Sequence, residues 1–168
     1  MLLEAEAQGW WYCTCDERGD GAAVFLSDAD LLPRAQRDRD AFFRARFAAS
    51  RLIRTKLPAL TDALDLRVID ARTSRRTRFC IDASVAIGDA AYAIDPLSGG
   101  GIRRAMETAL HSSEAVKAFL LAGDGDAFNR YDTWAESDFE RCLRDKVGIY
   151  ADANASLLAG PFWQRRAR

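Results

Sequence analysis

The sequence lacks the features that mark nucleic-acid-binding, membrane-spanning and secreted proteins. Its 168 residues contain 24 Lys and Arg against 25 Asp and Glu, so no excess of one charge steers it towards nucleic acid or an anionic membrane. No stretch approaches the roughly 20 consecutive apolar residues of a membrane-spanning helix. The start, Met1 to Glu4, lacks the basic region and the apolar run of a secretory signal. We therefore expect a cytoplasmic protein that binds neither nucleic acid nor membranes.

Histidine and cysteine are too few and too scattered for a metal centre. The chain has 1 His and 4 Cys, and the close cysteine pair is Cys13 and Cys15. A zinc site needs nitrogen or sulfur ligands in clustered pairs, so we expect no metal. A disulfide framework is not expected in a reducing compartment. Because alternate residues of a strand share a face, Cys13 and Cys15 are interpreted as small hydrophobes packed side by side.

The N-terminal half is predicted to form strands, a short helix and a longer helix. A hydrophobic content of 49% excludes a disordered chain. The segment Gly9–Leu32 predicts a β-hairpin whose first strand is apolar on both faces, followed by a short helix capped by Ser27 or Asp28. Next comes a predicted helix with an apolar stripe of Phe42, Phe43, Phe47 and Leu52, ended by Pro58. The predicted elements are the strands 10–15 and 22–26, the helices 29–32 and 37–53, and the strands 66–71, 78–81 and 84–87.

The C-terminal half predicts a loop and two helices, which completes an α+β fold with a mainly antiparallel sheet. The loop spans Gly88–Gly101, and the helices span Ile102–Leu121 and Ala127 to about Leu158. The only histidine, His111, lies about 180° around the first helix from Ile102 and is expected to face solvent rather than to act as an acid or base. The apolar face of that helix is predicted to hold Ile102, Ala105, Met106, Ala109, Val116 and Leu120.

One segment carries the chemistry: GDAAYAIDPLSGGGIRRAMETA, from Gly88 to Ala109. A carboxylate at the carboxyl end of a strand, here Asp89, can accept hydrogen bonds from ligand hydroxyls. Glycines at 99–101 let a ligand approach the backbone, and the N-terminus of the following helix favours negative charge. Arg104 stands where a G-x-G-x-x-G motif needs its last glycine, and no P-loop Gly-Lys follows. On the glycines alone, a flexible turn leading into a helix explains the segment equally well.

The complete string resembles the second flavin-binding motif of FAD-dependent monooxygenases, halogenases and related oxidoreductases of the para-hydroxybenzoate hydroxylase type. The resemblance implies that Asp89 binds the ribitol of FAD and that Pro96 lies beside the isoalloxazine ring. It implies that the backbone of the next positions faces the pyrimidine end of the flavin, where a reduced flavin carries negative charge. The implied cofactor-binding residues are Asp89, Pro96, Gly99, Gly100, Gly101 and Ile102.

The flanks resemble the halogenase-like subgroup, some of whose members hydroxylate protein side chains in quinone-cofactor biogenesis. The similar segments are Gly9–Tyr12 with the hairpin after it, Ser27–Leu31, Tyr150 and 161–166. The resemblance divides the chain into a substrate-domain sheet and helix (1–83), a flavin-facing strand, loop and helix (84–123) and a C-terminal helical segment (124–168). It implies a partial para-hydroxybenzoate hydroxylase-type fold.

The chain departs from this family in one respect. The family begins with a βαβ unit whose G-x-G-x-x-G holds the ADP half of FAD, and this sequence has no counterpart. We therefore expect the chain alone to bind FAD weakly or not at all. A truncated reading frame, one half of a split enzyme and a decayed copy all remain open.

Two functions follow from these observations. The first is part of an FAD-dependent oxidoreductase, a monooxygenase or halogenase-like enzyme acting on an aromatic or protein side-chain substrate once the missing half complements it. No catalytic side chain is named, because the flavin would carry the chemistry. The second is a non-catalytic fragment or interaction module that docks a partner chain or a second copy through its exposed apolar surfaces. A nucleic-acid role for the arginines between 72 and 78 is disfavoured by the charge balance.

Overall fold

The computed structural model describes residues 1–18, 20–57, 60, 64–82, 84–155 and 160–166, with the side chains of 154 and 155 left aside. Backbone contacts divide the chain into two units, one of Met1–Val68 with Ile149–Arg168 and the other of Ile69–Gly148. The division of the chain by role into 1–83, 84–123 and 124–168 stays a prediction. The expected combination of helix and sheet is confirmed, and the described strand pairs are antiparallel.

The first unit is built on a three-stranded sheet in the order β1-β2-β3. The predicted hairpin is confirmed as β2 and β3, and β1 is an additional strand that pairs with β2 from its other side. The hairpin's Gly19 lies outside the described residues. The elements of this unit are β1 (Leu2–Glu6), β2 (Gly9–Cys15), β3 (Gly21–Leu26), a 3-10 turn (Ala29–Leu31), α1 (Gln36–Ala49), α2 (Ile53–Lys56) and, near the C-terminus, α5 (Pro161–Gln164).

Strand β2 is covered on both faces at its start, as predicted. On one face, Trp11 packs with Phe43 and Phe47 of α1 and with Ile53 of α2. On the other, the indole N–H of Trp10 donates to the hydroxyl of Tyr150 at 3.1 Å. The burial fades along the strand: Cys13 is buried but Cys15 is exposed, so the prediction that both cysteines pack in the core is wrong for Cys15.

Long-range contacts set the helix limits in this unit. The predicted helix over 37–53 is interrupted at Ser50, whose hydroxyl donates to the carbonyl of Phe47 at 2.7 Å. The carboxylate of Glu4 accepts the N–H groups of residues 51–53 at 2.6–3.0 Å and so caps the separate helix α2. This interruption leaves Leu52 exposed rather than in the stripe. The predicted helix end at Pro58 lies outside the described residues.

The short turn after the hairpin is present, but its predicted cap is wrong. Asp28 precedes the turn, and no side-chain cap hydrogen bond is made. Ser27 donates instead to the carbonyl of Gln8 at 2.6 Å, and Asp28 accepts from Arg165 and Arg166. Both side chains are therefore used for tertiary contacts.

The second unit consists of two short strand pairs and two long helices. Its core includes Phe79, Tyr92, Ala115, Tyr131 and Phe139. The elements are β4 (Ser74–Arg75) paired with β7 (Tyr92–Ala93), β5 (Cys80–Ile81) paired with β6 (Ser84–Val85), α3 (Gly101–Ala122) and α4 (Ala127–Ala155), which runs on into the first unit.

Two predictions for this unit need correction. The expected strand over 66–71 is absent from the described residues there, where Val68 and Ile69 are exposed and no neighbouring strand pairs with them. β-propensity alone does not hold an unpaired strand. No strand is predicted between 71 and 78, yet this segment contains β4, which pairs with β7 from the glycine-motif loop. The predicted limits of α3 are confirmed within one residue; α4 ends at Ala155, and the predicted Leu157 and Leu158 lie outside the described residues.

Candidate functional site

The segment before α3 is a chain of tight turns rather than an open loop. A 3-10 turn spans Gly88–Ala90, and a second spans Pro96–Ser98. The buried carboxylate of Asp95 accepts the N–H of Leu97 at 3.1 Å, which starts the second turn as an Asx residue should. The turn ends at Gly99 with a φ of 64°, a left-handed conformation that glycine adopts at no steric cost.

The candidate flavin-binding residues surround the N-terminus of α3. Gly100 is the N-cap and Gly101 the first helical residue, and no side chain caps the first N–H groups within the part of the chain that the structure describes. A Cβ at Gly99 would meet nothing within 4 Å, so the backbone there is open to approach. Asp89, with its side chain 78% exposed, and the exposed Pro96 and Ile102 complete the set.

Arg104 lies close to both parts of the motif, the turn that contains Asp89 and the glycines before α3. It is 4% exposed, and its Nη2 lies 3.6 Å from Oδ1 of Asp89. Its Nη1 lies 3.6 Å from where a Cβ of Gly100 would stand, and its guanidinium carbon lies 5.8 Å from the centre of the Tyr92 ring. Its Nε is buried with no hydrogen-bond partner among the described residues. A buried cation with an unused donor is costly unless an acceptor reaches it.

A buried polar cluster lies below Tyr92. The phenol donates a short hydrogen bond to Oδ2 of Asp138, and Arg141 pairs with Oδ1 of the same carboxylate. Burial and this hydrogen bond raise the pKa of Tyr92 far above its ordinary range, so the phenol stays a donor. Burial alone would raise the pKa of Asp138, but the hydrogen bonds from Tyr92 and Arg141 outweigh it and leave that pKa lowered. The cluster therefore holds β7 against α4 with an ionised carboxylate.

Helix α3 presents the opposite face to the one predicted. Its buried residues are Arg104, Thr108, Ser112 and Ala115. Thr108 Oγ1 accepts the N–H of Gly88 at 2.8 Å, so the polar face is used to fix the turn that carries Asp89. The predicted apolar face is largely exposed, with Ile102 at 81% and Met106 at 69%. The large apolar side chains exposed on this side of α3 are Ile102, Met106, Leu110, Leu120 and Leu121, which we call the α3 apolar face.

The prediction that His111 faces solvent is confirmed only in part, because its side chain is 40% exposed and also packs on a neighbouring helix. Its ring stacks on Trp134 of α4 with centroids 3.9 Å apart, and its Nδ1 lies 4.0 Å from a carboxylate oxygen of Glu114. The geometry explains His111 as a packing residue between α3 and α4. It offers no hydrogen-bonded nucleophile for an acid–base role among the described residues.

The arginines between 72 and 78 have partners in their own unit. Arg75 pairs with Glu136 at 2.5 Å, Arg76 donates to the carbonyl of Ala90 at 2.7 Å and Arg72 pairs with Asp70 at 2.6 Å. Arg76 thereby holds the turn that contains Asp89. These contacts favour a structural role of the arginines over a nucleic-acid interface.

Sequence reasoning missed Arg104, Thr108 and Asp138. The spacing of Arg104, Thr108 and Ser112 by four residues could have revealed a polar stripe on α3. A polar stripe on a helix is ordinarily predicted to face solvent. A polar stripe that packs beneath a turn is therefore missed. Among the described residues no group of acidic, cysteine or histidine side chains is arranged to hold a metal, and no helix there is long and apolar enough to cross a membrane.

Comparison with known proteins gives one relative and one solved structure. No protein-family profile matches the chain. LodB of Marinomonas mediterranea, named as an FAD-dependent oxidoreductase, is 26% identical over 165 residues, which cover 98% of this chain and 43% of LodB. The solved structure of QhpG, a peptidyl tryptophan dihydroxylase essential for tryptophylquinone cofactor biogenesis, matches with a TM-score of 0.79 and 27% identity over 98% of this chain and 39% of QhpG.

The chain thus spans about two fifths of the length of each protein that it matches. It is similar in sequence to an oxidoreductase and in fold to a dihydroxylase. These similarities agree with the oxidoreductase class that the glycine motif predicts.

Proposed function

We propose that this chain is the flavin-facing and substrate-side part of an FAD-dependent oxidoreductase with a para-hydroxybenzoate hydroxylase-type fold. The whole enzyme would be a monooxygenase acting on an aromatic side chain of a protein. The substrate class rests on the similarity to QhpG, a peptidyl tryptophan dihydroxylase, and the cofactor on the similarity to LodB, an FAD-dependent oxidoreductase. The halogenase-like alternative has less support, because neither name describes a halogenase.

The proposal rests on three features that lie close together: an exposed carboxylate, an open glycine turn and an uncapped helix N-terminus. Asp89 would accept hydrogen bonds from the ribityl hydroxyls, and Pro96 would lie against the isoalloxazine ring. The N–H groups of Gly101 and Ile102 would face the pyrimidine end of that ring. A bound, reduced flavin would supply the two electrons for activating dioxygen, with one oxygen atom entering an electron-rich ring, the other leaving as water and the flavin returning to its oxidised form.

The residues present fit the flavin end of FAD better than the adenylate end. No described residue would lie within 4 Å of a Cβ at Gly99, which leaves space for a flat ring, and the guanidinium of Arg104, whose Nε has no hydrogen-bond partner among the described residues, provides positive charge behind the turn. The sequence has no G-x-G-x-x-G to bind the pyrophosphate. The chain should therefore recognise FMN and FAD alike, and both weakly.

A fluorescence titration tests this proposal. FMN should show saturable quenching by the purified chain, and Asp89→Ala should weaken the affinity about tenfold, equivalent to about 1.4 kcal/mol. Glu114→Ala, another exposed carboxylate in the same unit, is the matched control and should leave the affinity unchanged. The proposal fails if no saturable binding occurs or if Asp89→Ala binds as the wild type does.

The α3 apolar face favours a second, compatible function as a docking surface. Its occupant would be a polypeptide unit with the dinucleotide-binding βαβ fold. More than half of each matched protein has no counterpart in this chain, and the glycine motif presupposes a partner for the ADP half of FAD. An exposed row of large apolar side chains on one long helix is typical of a surface that another unit covers.

The docking function can be tested with the part of LodB that this chain does not match, produced as a separate polypeptide. Sedimentation should detect a 1:1 complex with the wild type and none with the double variant Met106→Glu, Leu110→Glu. Leu52→Glu, at an exposed leucine of the first unit, should still form the complex. Self-association of the wild type without a mixed complex, or a complex that the double variant also forms, would contradict this assignment.

A further inference from the structure

The guanidinium of Arg104 is buried, charged and incompletely partnered. Within the described residues its charge partner is Asp89, whose own carboxylate is 78% exposed and so largely hydrated. Its contact with Tyr92 is through the ring face, 5.8 Å from the guanidinium carbon, and uses no N–H of the guanidinium. Its Nε has no hydrogen-bond partner there. A buried donor without a partner indicates that a bound ligand supplies the hydrogen-bond acceptor.

The position of the guanidinium of Arg104 indicates which kind of acceptor it would contact. Nη1 and Nη2 lie 3.6 and 3.9 Å from where Cβ atoms of Gly100 and Gly101 would stand, so the cation lies directly behind the first turn of α3. The helix N-terminus already carries a partial positive charge. The two charges add at the same point, and the low exposure of Arg104 limits screening by solvent.

We propose that Arg104 makes this site selective for the anionic, reduced form of a flavin. The inference rests on the proposed flavin-binding function. Oxidised flavin is neutral in its ring; on taking up two electrons and one proton it becomes a hydroquinone with one negative charge, centred on N1 and the C2 carbonyl. A fixed cation behind the glycine turn stabilises that charge and raises the affinity for the reduced form. Arg104 would act through the positive charge of its guanidinium and would not itself react. It would also position Asp89 towards the turn.

The test compares the dissociation constants of oxidised and reduced FMN for the same protein. FMN is titrated in air by fluorescence and, after reduction with dithionite, by anaerobic equilibrium dialysis. The phosphate is present in both forms and cancels from the ratio. The wild type should bind reduced FMN about tenfold more tightly than oxidised FMN, equivalent to about 1.4 kcal/mol.

Variants assign this preference to Arg104. Arg104→Met should bring the ratio close to one, whereas Arg104→Lys, which keeps the charge, should retain part of the preference. Arg103→Met is the matched control, because Arg103 is exposed and already paired with Glu107 at 2.5 Å; it should keep the full ratio. Far-UV circular dichroism checks that each variant is folded.

The outcomes separate the two proposals. If the wild type binds FMN in neither form, the flavin-binding function fails and the role of Arg104 falls with it. If the wild type binds both forms equally, or if folded Arg104→Met keeps the full ratio, the selectivity is refuted while flavin binding stands. Should Arg104→Met fail to fold, the wild-type ratio and the Arg104→Lys ratio still decide the matter.

Discussion

The Nη2 atom of Arg104, a residue 4% exposed, lies 3.6 Å from Oδ1 of Asp89, whose side chain is 78% exposed. The two residues belong to opposite ends of the glycine motif, one at the turn after β6 and one in the first turn of α3. Their contact joins a buried cation to a carboxylate that faces solvent. The motif is therefore held together by a buried residue that lies behind the glycine turn.

The hydrogen bond between Tyr92 and Asp138 should be a main support of the second unit. Tyr92→Phe removes the donor and leaves a buried oxygen of Asp138 under-satisfied, which should cost about 1–3 kcal/mol of unfolding free energy. Urea denaturation followed by circular dichroism measures this loss. Tyr12→Phe, at a half-buried tyrosine whose hydroxyl makes no hydrogen bond to the described residues, should be nearly neutral. Equal effects of the two variants would count against the cluster.

Acid should destabilise the second unit through Asp138. Its pKa in the folded protein is lowered from 3.8, so the unfolded state binds the proton at a higher pH than the folded state does. The stabilisation is therefore complete above about pH 5 and is lost as the pH falls through 3.8 towards the folded pKa. Asp138→Asn should be less stable at neutral pH and should show a flatter decline between pH 5 and 2.5 in urea titrations. A decline as steep as in the wild type would show that other carboxylates are responsible.

The sequence predicted those elements whose limits depend on local patterns. The hairpin of β2 and β3 and the span of α3 follow from alternation, turn residues and helical periodicity. A connecting segment between β6 and α3 was also predictable, because turn chemistry is local, whereas its two 3-10 turns and strand β7 were not.

The predictions that were wrong concern elements whose limits or orientation depend on contacts between residues distant in the sequence. The break in the helix after Ala49 depends on the carboxylate of Glu4, far away in the sequence. The buried face of α3 is polar because Thr108 must accept the N–H of Gly88 and Arg104 must reach Asp89. Periodicity identifies two faces of a helix but does not say which one the rest of the unit covers.

The reversed orientation of α3 predicts unequal effects of substitution on its two faces. Met106→Glu with Leu110→Glu places charges on exposed positions and should change the unfolding free energy by no more than about 0.5 kcal/mol. Thr108→Ala removes the acceptor of the Gly88 N–H and should cost about 1–3 kcal/mol. Chemical denaturation of the three proteins measures both values. A large loss in the double variant with a neutral Thr108→Ala would mean that the helix is turned the other way.

Close backbone packing in the first unit predicts a strong effect at Gly160. A Cβ there would lie 1.8 Å from the carbonyl oxygen of Ala7, so Gly160→Ala forces the backbone to move and should cost about 1–3 kcal/mol. Gly125→Ala is the control, because a Cβ there meets nothing within 4 Å. Thermal unfolding should show a lower midpoint for the first variant and an unchanged one for the second. A wild-type midpoint for Gly160→Ala would contradict the close contact.

The proposed flavin site consists of the turn and helix around Asp89 and the glycines. Titration of the isotope-labelled chain with FMN, followed by amide chemical shifts, tests it most directly. Saturable shifts should be concentrated on residues 88–90 and 96–104, with β2 of the hairpin unaffected. Shifts absent at millimolar FMN, or confined to residues outside those two segments, would contradict it.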